Sequence, residues 1–381
     1  MRILHTSDWH IGKKLMGRER YDEYRAVLKE IDALCKSENI ELLIVAGDVF
    51  DTYTPSAEAE CIFFEGIKKI SSHTAIVIIS GNHDDSVRLT APAVFLEECG
   101  VYIVGNQKRS FSKFPDFGVK CVSYGTGYAV FENSSGERVH LNLLPYPNEA
   151  RFKEERSDES FSDKMSRWIS LGEDGKEEGV PNIFVSHIFV AGGQVSDSER
   201  EIDVGGARAV PKSLLPECDY CALGHLHKKQ NIGNAYYCGA PMQFSFDETG
   251  QEKSVNIFDI TKDGINNFKQ VILNSYRKLI RLQANSAEEG VKLLNANKEY
   301  FVELTLNLEE PLNLSQSYAL HECENLISLK TDVALSVTGD ETVSRRDKSS
   351  SELFCEYYEL KYGTKPKDEL LELFLTLTEE E

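Results

Sequence analysis

Five apolar segments of the chain stop at side chains that could bind metal ions or transfer protons. They run into TSDWH, AGDVFD, SGNHDD, VSHI and LGHLH. The polar residues at these positions are Asp8, His10, Asp48, Asn82, His83, Asp84, His187, His225 and His227. Because ligands of layered α/β folds gather beyond the carboxyl ends of strands, we expect these side chains to meet in one pocket.

His225 and His227 are separated by one residue, a leucine. Two residues at i and i+2 of an extended chain point the same way and lie about 6 to 7 Å apart, so they could hold one ion, or one ion each of a close pair. On its own such a pair is more often a turn with ordinary surface histidines. The other four segments must therefore decide between these interpretations.

The number and types of donors indicate two ions. Four imidazoles, two carboxylates and one amide are too many for one ion, but they can serve two ions if one carboxylate bridges them and positions remain for water and substrate. Asp48 is the natural bridge. Mixed nitrogen and oxygen donors favour manganese, iron or zinc over calcium and magnesium, which prefer oxygen.

Strands and helices alternate over the first hundred residues. The runs RILHTSD, ELLIVAGD and TAIVIISGNHD are typical of strands, and the spacing of apolar residues predicts helices over 21–36 and 57–70. Nearly continuous apolar strands indicate a sheet covered on both faces, as in layered α/β domains. Residues 115–275 are rich in strands and predict a second sheet. Within them the charged segment 148–180 is partly helical around Lys164 to Leu171 and is typical of a solvated insertion.

The sequence pattern changes in the C-terminal hundred residues. Residues 276–338 alternate strands and helices and predict a compact α+β unit. The stretch 339–352 is polar and rich in serine, as linkers are, and two amphipathic helices follow it. Because so short a helical tail cannot fold alone, we expect it to pack back or to dock on a partner. The predicted domains are 1–275, 276–338 and 339–381.

The composition, 41% hydrophobic and 27% charged, is that of an ordinary soluble globular protein. The apolar runs fall short of the ~18 residues that a membrane span needs, and the N-terminus lacks the pattern of a signal peptide, so we expect no membrane contact and a cytoplasmic location. The formal charge of −20 argues against a polyanionic partner for this chain alone. Nine scattered cysteines favour reduced thiols; the spacing of Cys218 and Cys221 suits zinc or redox chemistry, but without a second such pair it favours a core thiol.

The order DxH, GDxxD, GNHD, a single histidine and GHxH resembles that of the calcineurin-like metallophosphoesterase superfamily. More narrowly, MRILHTSDWHIGKKL, AGDVFDTYTPS, ISGNHDDSVRL, DYCALGHLHKKQ and YYCGAPMQFSFDE are similar to segments of the SbcD family of bacterial nuclease subunits. This resemblance is strong over about residues 1 to 250 and weaker beyond. It implies a layered α/β/β/α core of two mixed sheets flanked by helices, with a small α+β cap and a helical C-terminal tail.

The resemblance also implies a function. Proteins of this family are metal-dependent DNA nucleases, both exonucleases and hairpin-opening endonucleases, that hydrolyse phosphodiester bonds by a two-metal mechanism in DNA end processing, repair and recombination. The expected partners are a second copy of the chain, DNA ends and hairpins, and the SMC-like ATPase SbcC, which would dock on the C-terminal helices.

Carried over position by position, the resemblance implies one ion, with manganese the expected metal, on Asp8, His10, Asp48 and His227. A second ion would be held by Asp48, Asn82, His187 and His225. On this assignment His225 and His227 serve different ions.

His83 is left over when the ligands are assigned. The resemblance implies that it presents a proton or positive charge to the scissile phosphate or the leaving oxygen, with the Asp84 carboxylate holding its ring in one tautomer. The alternative is a structural histidine behind the ligands. Asp51 stands where archaeal and eukaryotic relatives tend to have histidine, and we do not include it among the ligands.

Two other functions remain open. A phosphomonoesterase or small-substrate phosphodiesterase on the same core accounts for the motifs equally well, but it leaves residues 276–381 without a role. A non-catalytic scaffold would be expected to have lost ligands, whereas all seven are present.

Overall fold

The structure of the chain is a computed structural model. It describes residues 1–111, 118–152, 154, 158–196, 199, 209–333, 350–362, 364–367, 370–371 and 374–375. The chain divides into two compact units, Met1–Asp332 and Val333–Glu381. Most of the linker predicted at 339–352 lies outside the described residues.

The described residues form strands and α-helices with the following bounds. The strands are β1 (Arg2–Thr6), β2 (Leu42–Ala46), β3 (Ala75–Ile79), β4 (Val101–Val104), β5 (Val119–Gly125), β6 (Tyr128–Asn133), β7 (Arg138–Leu144), β8 (Asn182–His187), β9 (Tyr220–Gly224), β10 (Gln230–Ile232), β11 (Ala235–Tyr237), β12 (Ser254–Thr261), β13 (Gly264–Ile272), β14 (Leu279–Ala284), β15 (Phe301–Leu308) and β16 (Leu326–Val333). The helices are α1 (Tyr21–Ser37), α2 (Ala57–Ile70), α3 (Ser86–Thr90), α4 (Ala93–Glu97), α5 (Glu149–Phe152), α6 (Phe161–Leu171), α7 (Ala287–Ala296), α8 (Leu314–His321) and α9 (Ser350–Tyr362).

Two mixed sheets form the centre of the first unit. One has six strands in the order β13-β12-β1-β2-β3-β4, in which β1 to β4 are parallel and β12 and β13 antiparallel. The other has seven strands in the order β10-β11-β9-β8-β7-β6-β5, with β7, β8 and β9 parallel. Both the β-α-β-α-β start and the second sheet were expected from the sequence.

Alternation along β2 shows how the layers are stacked. Leu43 and Val45 point into the core beneath α1 and α2, whereas Leu42 and Ile44 point into the core between the two sheets. A third core lies on the outer face of the seven-stranded sheet, where α6 packs. The order of layers is therefore helix, sheet, sheet, helix, which confirms the predicted α/β/β/α fold class.

The charged segment 148–180 differs from the expected solvated insertion. Met165 and Trp168 of α6 are fully buried against the seven-stranded sheet. The side chain of Trp168 also donates a hydrogen bond to Glu154. The helix expected around Lys164 to Leu171 is confirmed by α6, but α6 buries three apolar residues in the core, which the net polarity of the segment does not reveal.

A separate three-stranded sheet, in the order β14-β15-β16, follows the six-stranded sheet in the chain. Leu279 and Phe301 of this sheet form a small apolar cluster with Leu15 and Phe246. Buried Gln243 adds a polar tie, because its side-chain oxygen accepts a hydrogen bond from the backbone of Leu279 at 2.7 Å.

The second unit contains α9, in which the ring of Phe354 stacks on that of Phe374 with centroids 4.2 Å apart. The first of the two predicted C-terminal helices is thus present, while most of the second lies outside the described residues. Across the part of the chain that the structure describes, every helix is too short or too polar to cross a bilayer.

Candidate metal centre

The ends of five strands bring the predicted site residues together. Asp8 and His10 follow β1, Asp48 follows β2 and Asn82 follows β3, so the six-stranded sheet supplies these four. The seven-stranded sheet supplies the other three from the ends of β8 and β9, namely His187, His225 and His227. The pocket therefore lies across the junction of the two sheets, as the strand-end argument predicts.

Strained backbone marks the same positions. Asp8, His10 and Asp48 have φ of 53°, 44° and 50°, and His225 has φ of 103°. A non-glycine residue in this left-handed region costs about 1 to 3 kcal/mol, and such residues cluster at functional sites. Hydrogen bonds from Asp8 N to Gly47 O and from His10 N to Asp48 O, both 3.0 Å, hold the two loops in this conformation.

His10 and His227 face each other across one half of the pocket. Their Nε2 atoms are 3.0 Å apart and both rings are buried. Burial lowers the pKa of His10 to about 4 and the pKa of His227 well below its usual value, so both rings are neutral. Together with an oxygen of Asp8, these nitrogens lie within 4.8 Å of one another. Converging neutral imidazoles beside a carboxylate suit a divalent transition metal.

His187 and His225 converge on Asn82 in the other half. The Oδ1 atom of Asn82 lies 2.9 Å from His187 Nε2 and 3.1 Å from His225 Nδ1. His187 Nδ1 donates to the carbonyl of Ala46 at 2.8 Å, since that oxygen can only accept. This hydrogen bond orients the ring so that Nε2 points into the pocket, as in many metal-binding histidines.

Asp48 lies between the two halves. Its Oδ2 is 3.4 Å from His10 Nε2 and 3.3 Å from His187 Nε2, while Oδ1 accepts a hydrogen bond from the backbone of His83 at 2.8 Å. Burial disfavours its charge, yet His187, His83 and His10 outweigh burial and hold the pKa of Asp48 well below its usual range. Asp48 is thus an anion in contact with both groups of histidines.

The buried carboxylates of the pocket carry negative charge that a cation would stabilise. Burial and then the charge of Asp48 raise the pKa of Asp8 to about 7. Burial favours the neutral form of His187, but Asp48 and Asp8 outweigh it and raise the pKa of that histidine to about 9. A proton on His187 therefore balances part of the negative charge of the carboxylates. Bound divalent cations would balance that charge in place of the proton. The donor set fits such ions.

The surroundings of His83 differ from the expectation. Its Nδ1 donates to the backbone carbonyl of Asp51 at 2.7 Å, so Asp51 rather than Asp84 orients the ring. The Asp84 carboxylate instead accepts backbone hydrogen bonds from Gly81 at 2.8 Å, Phe50 at 3.0 Å and Val49 at 3.2 Å. Asp84 therefore ties the loop after β2 to the loop after β3, and it acts on His83 only through the backbone.

Arg151 is a site residue that sequence reasoning missed. Its guanidinium donates to three carbonyls of the loop after β3, those of Gly81 at 2.5 Å, Asn82 at 2.8 Å and Asp84 at 2.9 Å. The ring of Tyr146 lies 5.2 Å from its charged carbon. It belongs to the charged segment that the sequence assigns to solvent, and a single arginine among many charges carries no pattern that could have singled it out.

Lys253 and Glu248 form a second missed feature, a fully buried ion pair. Lys253 Nζ also donates to the backbone carbonyl of His227 at 2.9 Å. On the other side of the same residue, the amide of His227 donates to Glu199 at 2.6 Å. Burial raises the pKa of Glu199 to about 7. Both backbone groups of His227 are thus fixed by buried side chains.

Comparison with known proteins agrees with this geometry. The model of the family described as calcineurin-like phosphoesterase matches residues 1–229. The chain is similar to the SbcD subunit of the nuclease SbcCD from Bacillus subtilis, with 33% identity over 99% of this chain and 97% of that protein. It is also similar to proteins of the same name from Rhodobacter capsulatus, 33% identical over 68% of this chain and 66% of that protein, and from Staphylococcus epidermidis, 27% identical over 80% and 79%.

Proposed function

This chain belongs to the calcineurin-like phosphoesterase family and, within it, to the SbcD family of SbcCD nuclease subunits, and from that membership we propose that it is a metal-dependent nuclease subunit acting on DNA. Membership makes it a hydrolase. The observation that supports the proposal is the convergence of seven side chains with metal-ligating groups, from two sheets, on one buried pocket. A preserved site of this kind speaks against a non-catalytic scaffold.

We assign one divalent ion to Asp8, His10, Asp48 and His227, and a second to Asp48, Asn82, His187 and His225. When bound, two such ions would activate water and neutralise the charge of a phosphodiester. The mixture of imidazole, carboxylate and amide donors favours manganese over magnesium or calcium.

His83 is the group that we assign to the reacting phosphate. Because Nδ1 donates to the Asp51 carbonyl, the neutral ring presents an unprotonated Nε2 at the opposite edge. The ring lies against His10, with centroids 4.6 Å apart, and 4% of the residue remains accessible to solvent. Nε2 can therefore take up a proton and donate it to the leaving oxygen, or place a positive charge beside the phosphate.

Asp84 is a positioning residue in this proposal. By accepting three backbone hydrogen bonds it fixes the loops that carry Asp48, Asn82 and His83. Arg151 has the same task on the outer side of the loop after β3, where it binds three carbonyls. Neither side chain needs to touch the substrate.

The proposal also divides the chain into three parts with different roles. We propose that residues 1–275 are the nuclease domain, that 276–338 form a capping or DNA-binding domain, and that 339–381 join it to the SMC-like ATPase SbcC. Of the described side chains in α9, Tyr357 is 57% exposed and Leu353 is 37% exposed. Exposed apolar residues on a short helix suit docking into a groove of a partner.

A second copy of the chain is the partner proposed for another surface. Val87, Val94 and Phe95 on α3 and α4 are 73%, 55% and 76% exposed. Arg88 of α3 binds Glu60 at 2.9 Å and so links α3 to α2, which carries Phe64, 37% exposed. Exposed apolar side chains of this kind mark interaction sites, and a twofold dimer would bury them on both copies.

The formal charge of −20 fits a subunit that grips DNA with help from others. Repulsion between this net negative charge and the phosphates of DNA would leave the single chain with weak binding. We propose that the partner ATPase and the second copy supply much of the positive surface, and that the assembly works in the cytoplasm.

One assay set tests the proposed function. The purified chain is given hairpin DNA, end-blocked linear DNA and a chromogenic phosphomonoester, each with manganese and with EDTA. We expect manganese-dependent cleavage of DNA and none in EDTA. Preference for the monoester would instead support a phosphomonoesterase. Failure of the chain to bind a transition metal would support the non-catalytic scaffold.

A further inference from the structure

Two cysteines near the start of β9 are left unused by the proposed function: Cys218 in the loop before the strand, and Cys221, the second residue of the strand. Cys218 Sγ and Cys221 Sγ are 3.0 Å apart. A disulfide bond is about 2.05 Å long, so the sulfurs need to approach by only about 1 Å to be joined. The sequence favoured a core thiol here, and the structure adds that the two thiols are in direct contact.

The backbone holds the two sulfurs in this position. Cys221 N donates to the carbonyl of Asn234 at 3.0 Å, and the Asn234 side chain donates back to the carbonyl of Cys218 at 3.1 Å. Between the cysteines, Asp219 N donates to the carbonyl of Asn182 at 2.9 Å. Because these contacts fix both ends of the short loop, little conformational freedom is lost when the sulfurs are joined.

The two thiols differ in access and in acidity. Cys218 is partly exposed, whereas Cys221 is fully buried. The hydrogen bond with Cys221 lowers the pKa of Cys218, and the backbone of Phe184 and the charge of Lys176 lower it further against the effect of burial. Contact with Cys218 and burial raise the pKa of Cys221. A partly exposed thiol with a lowered pKa beside a buried thiol is the arrangement of an attacking and a resolving cysteine.

The other cysteines provide an internal comparison. Cys35 and Cys238 are buried, and burial raises the pKa of each thiol to about 12. Cys61 and Cys99 are exposed. Free thiols of these two kinds are expected to be inert or to react singly, and neither outcome yields an intramolecular disulfide.

We propose that Cys218 and Cys221 form a reversible thiol–disulfide site that hydrogen peroxide oxidises. Cys218 loses its thiol proton and its sulfur attacks a peroxide oxygen; the O–O bond breaks, and the departing hydroxide takes up the released proton and leaves as one water, with a sulfenic acid remaining on Cys218. The Cys221 sulfur then attacks the Cys218 sulfur, its proton leaves with the hydroxyl group as a second water, and the S–S bond forms. Two thiols and one peroxide become one disulfide and two waters, and two electrons pass from sulfur to oxygen.

The oxidised site is expected to leave the metal centre in place. Cys221 is the second residue of β9, and His225 directly follows the last residue of that strand. There the backbone of His225 is anchored by the Asp8 carboxylate at 2.9 Å. Since closure moves the sulfurs by only about 1 Å, the register of β9 with β8 is kept. The site consumes oxidant without switching off hydrolysis.

The test uses the full chain with stoichiometric hydrogen peroxide, followed by alkylation and peptide mass mapping. We expect a Cys218–Cys221 cross-linked peptide whose mass is lower by two hydrogen atoms, which dithiothreitol restores. Hydrolysis of DNA with manganese, measured on the same samples, is expected to be unchanged. If both cysteines are still alkylated while Cys61 or Cys99 has reacted, the proposal is overturned.

Two variants separate the steps. In Cys221→Ser the sulfenic acid on Cys218 has no resolving thiol and should be trapped by dimedone, with Cys221→Ala as the substitute if the serine variant fails to fold. In Cys218→Ser, which should keep basal hydrolysis, buried Cys221 should resist peroxide. Oxidation of Cys221 in that variant, or absence of dimedone labelling in both Cys221 variants, would contradict the assigned roles.

Discussion

Replacing Lys253 with methionine tests what the buried ion pair with Glu248 contributes to stability and to metal binding. The change removes the partner of Glu248 and the hydrogen bond to the His227 carbonyl. Breaking a buried pair from one side costs about 3 to 5 kcal/mol, because the remaining charge stays without compensation. The expected result for Lys253→Met is a loss of unfolding free energy of that size.

The same variant should also bind metal more weakly. Lys253 fixes the backbone of a proposed ligand, and the loss of an interaction that orients a ligand typically costs 10- to 100-fold in metal affinity. A second change, Glu248→Gln, discriminates between the two effects. It removes the uncompensated charge but leaves Oε1 to accept the hydrogen bond from Phe244, so the double variant should regain most of the stability.

The assay combines urea unfolding at neutral pH with titration of the metal-free protein by manganese. The double variant should approach the wild type in unfolding free energy while its manganese affinity stays as low as that of the single variant. Full manganese affinity in the double variant would refute the idea that Lys253 acts through the His227 carbonyl. Unchanged stability in the single variant would refute the cost assigned to the buried charge.

Four further predictions concern other parts of the molecule. His83→Gln should keep its metal content and lose most DNA hydrolysis; unchanged turnover would remove His83 from the mechanism. Gly224→Ala should lose metal and at least about 1 to 3 kcal/mol of stability by thermal or urea unfolding, because the new Cβ would lie 1.9 Å from the Ala46 carbonyl and 2.8 Å from His187 Nδ1, whereas Gly118→Ala, with open space around it, is the control and should be neutral. Phe95→Glu should yield monomers in sedimentation analysis if the exposed face of α3 and α4 joins two copies; dimers of unchanged affinity would place the interface elsewhere. Deletion of residues 345–381 should abolish association with the ATPase in co-purification and spare hydrolysis of a small phosphodiester; retained association would rule out docking on the tail.

Much of the core could be predicted because its strands have distinctive sequences. The continuous apolar runs at β2 and β3 are buried on both faces, and their ends coincide with the polar motifs. The helix spacing of α1 predicted its start at Tyr21 and its end within one residue. Long, strongly periodic elements are specified locally, so they can be found without tertiary information.

The contacts of the site could be predicted only in part. Ligand-type residues at strand ends were visible, whereas the orientation of His83 by a backbone carbonyl was not, because any residue offers a carbonyl. The same holds for Arg151, whose partners are three backbone oxygens. Lys253 and Glu248 are ordinary charged residues in the sequence, and only their burial reveals the pair. Backbone partners and burial depend on the tertiary fold and leave no motif.

The division of the pocket between two sheets has a consequence for how activity arises. Each of the two proposed ions draws its ligands from both sheets, so we expect an ion to be retained only after the two sheets have docked in the correct register. We therefore expect metal loading to require a correctly assembled pocket, and a misfolded copy to lack activity. For a protein proposed to sever DNA, this built-in safeguard means that the cutting chemistry arises last, after the rest of the molecule is already in place.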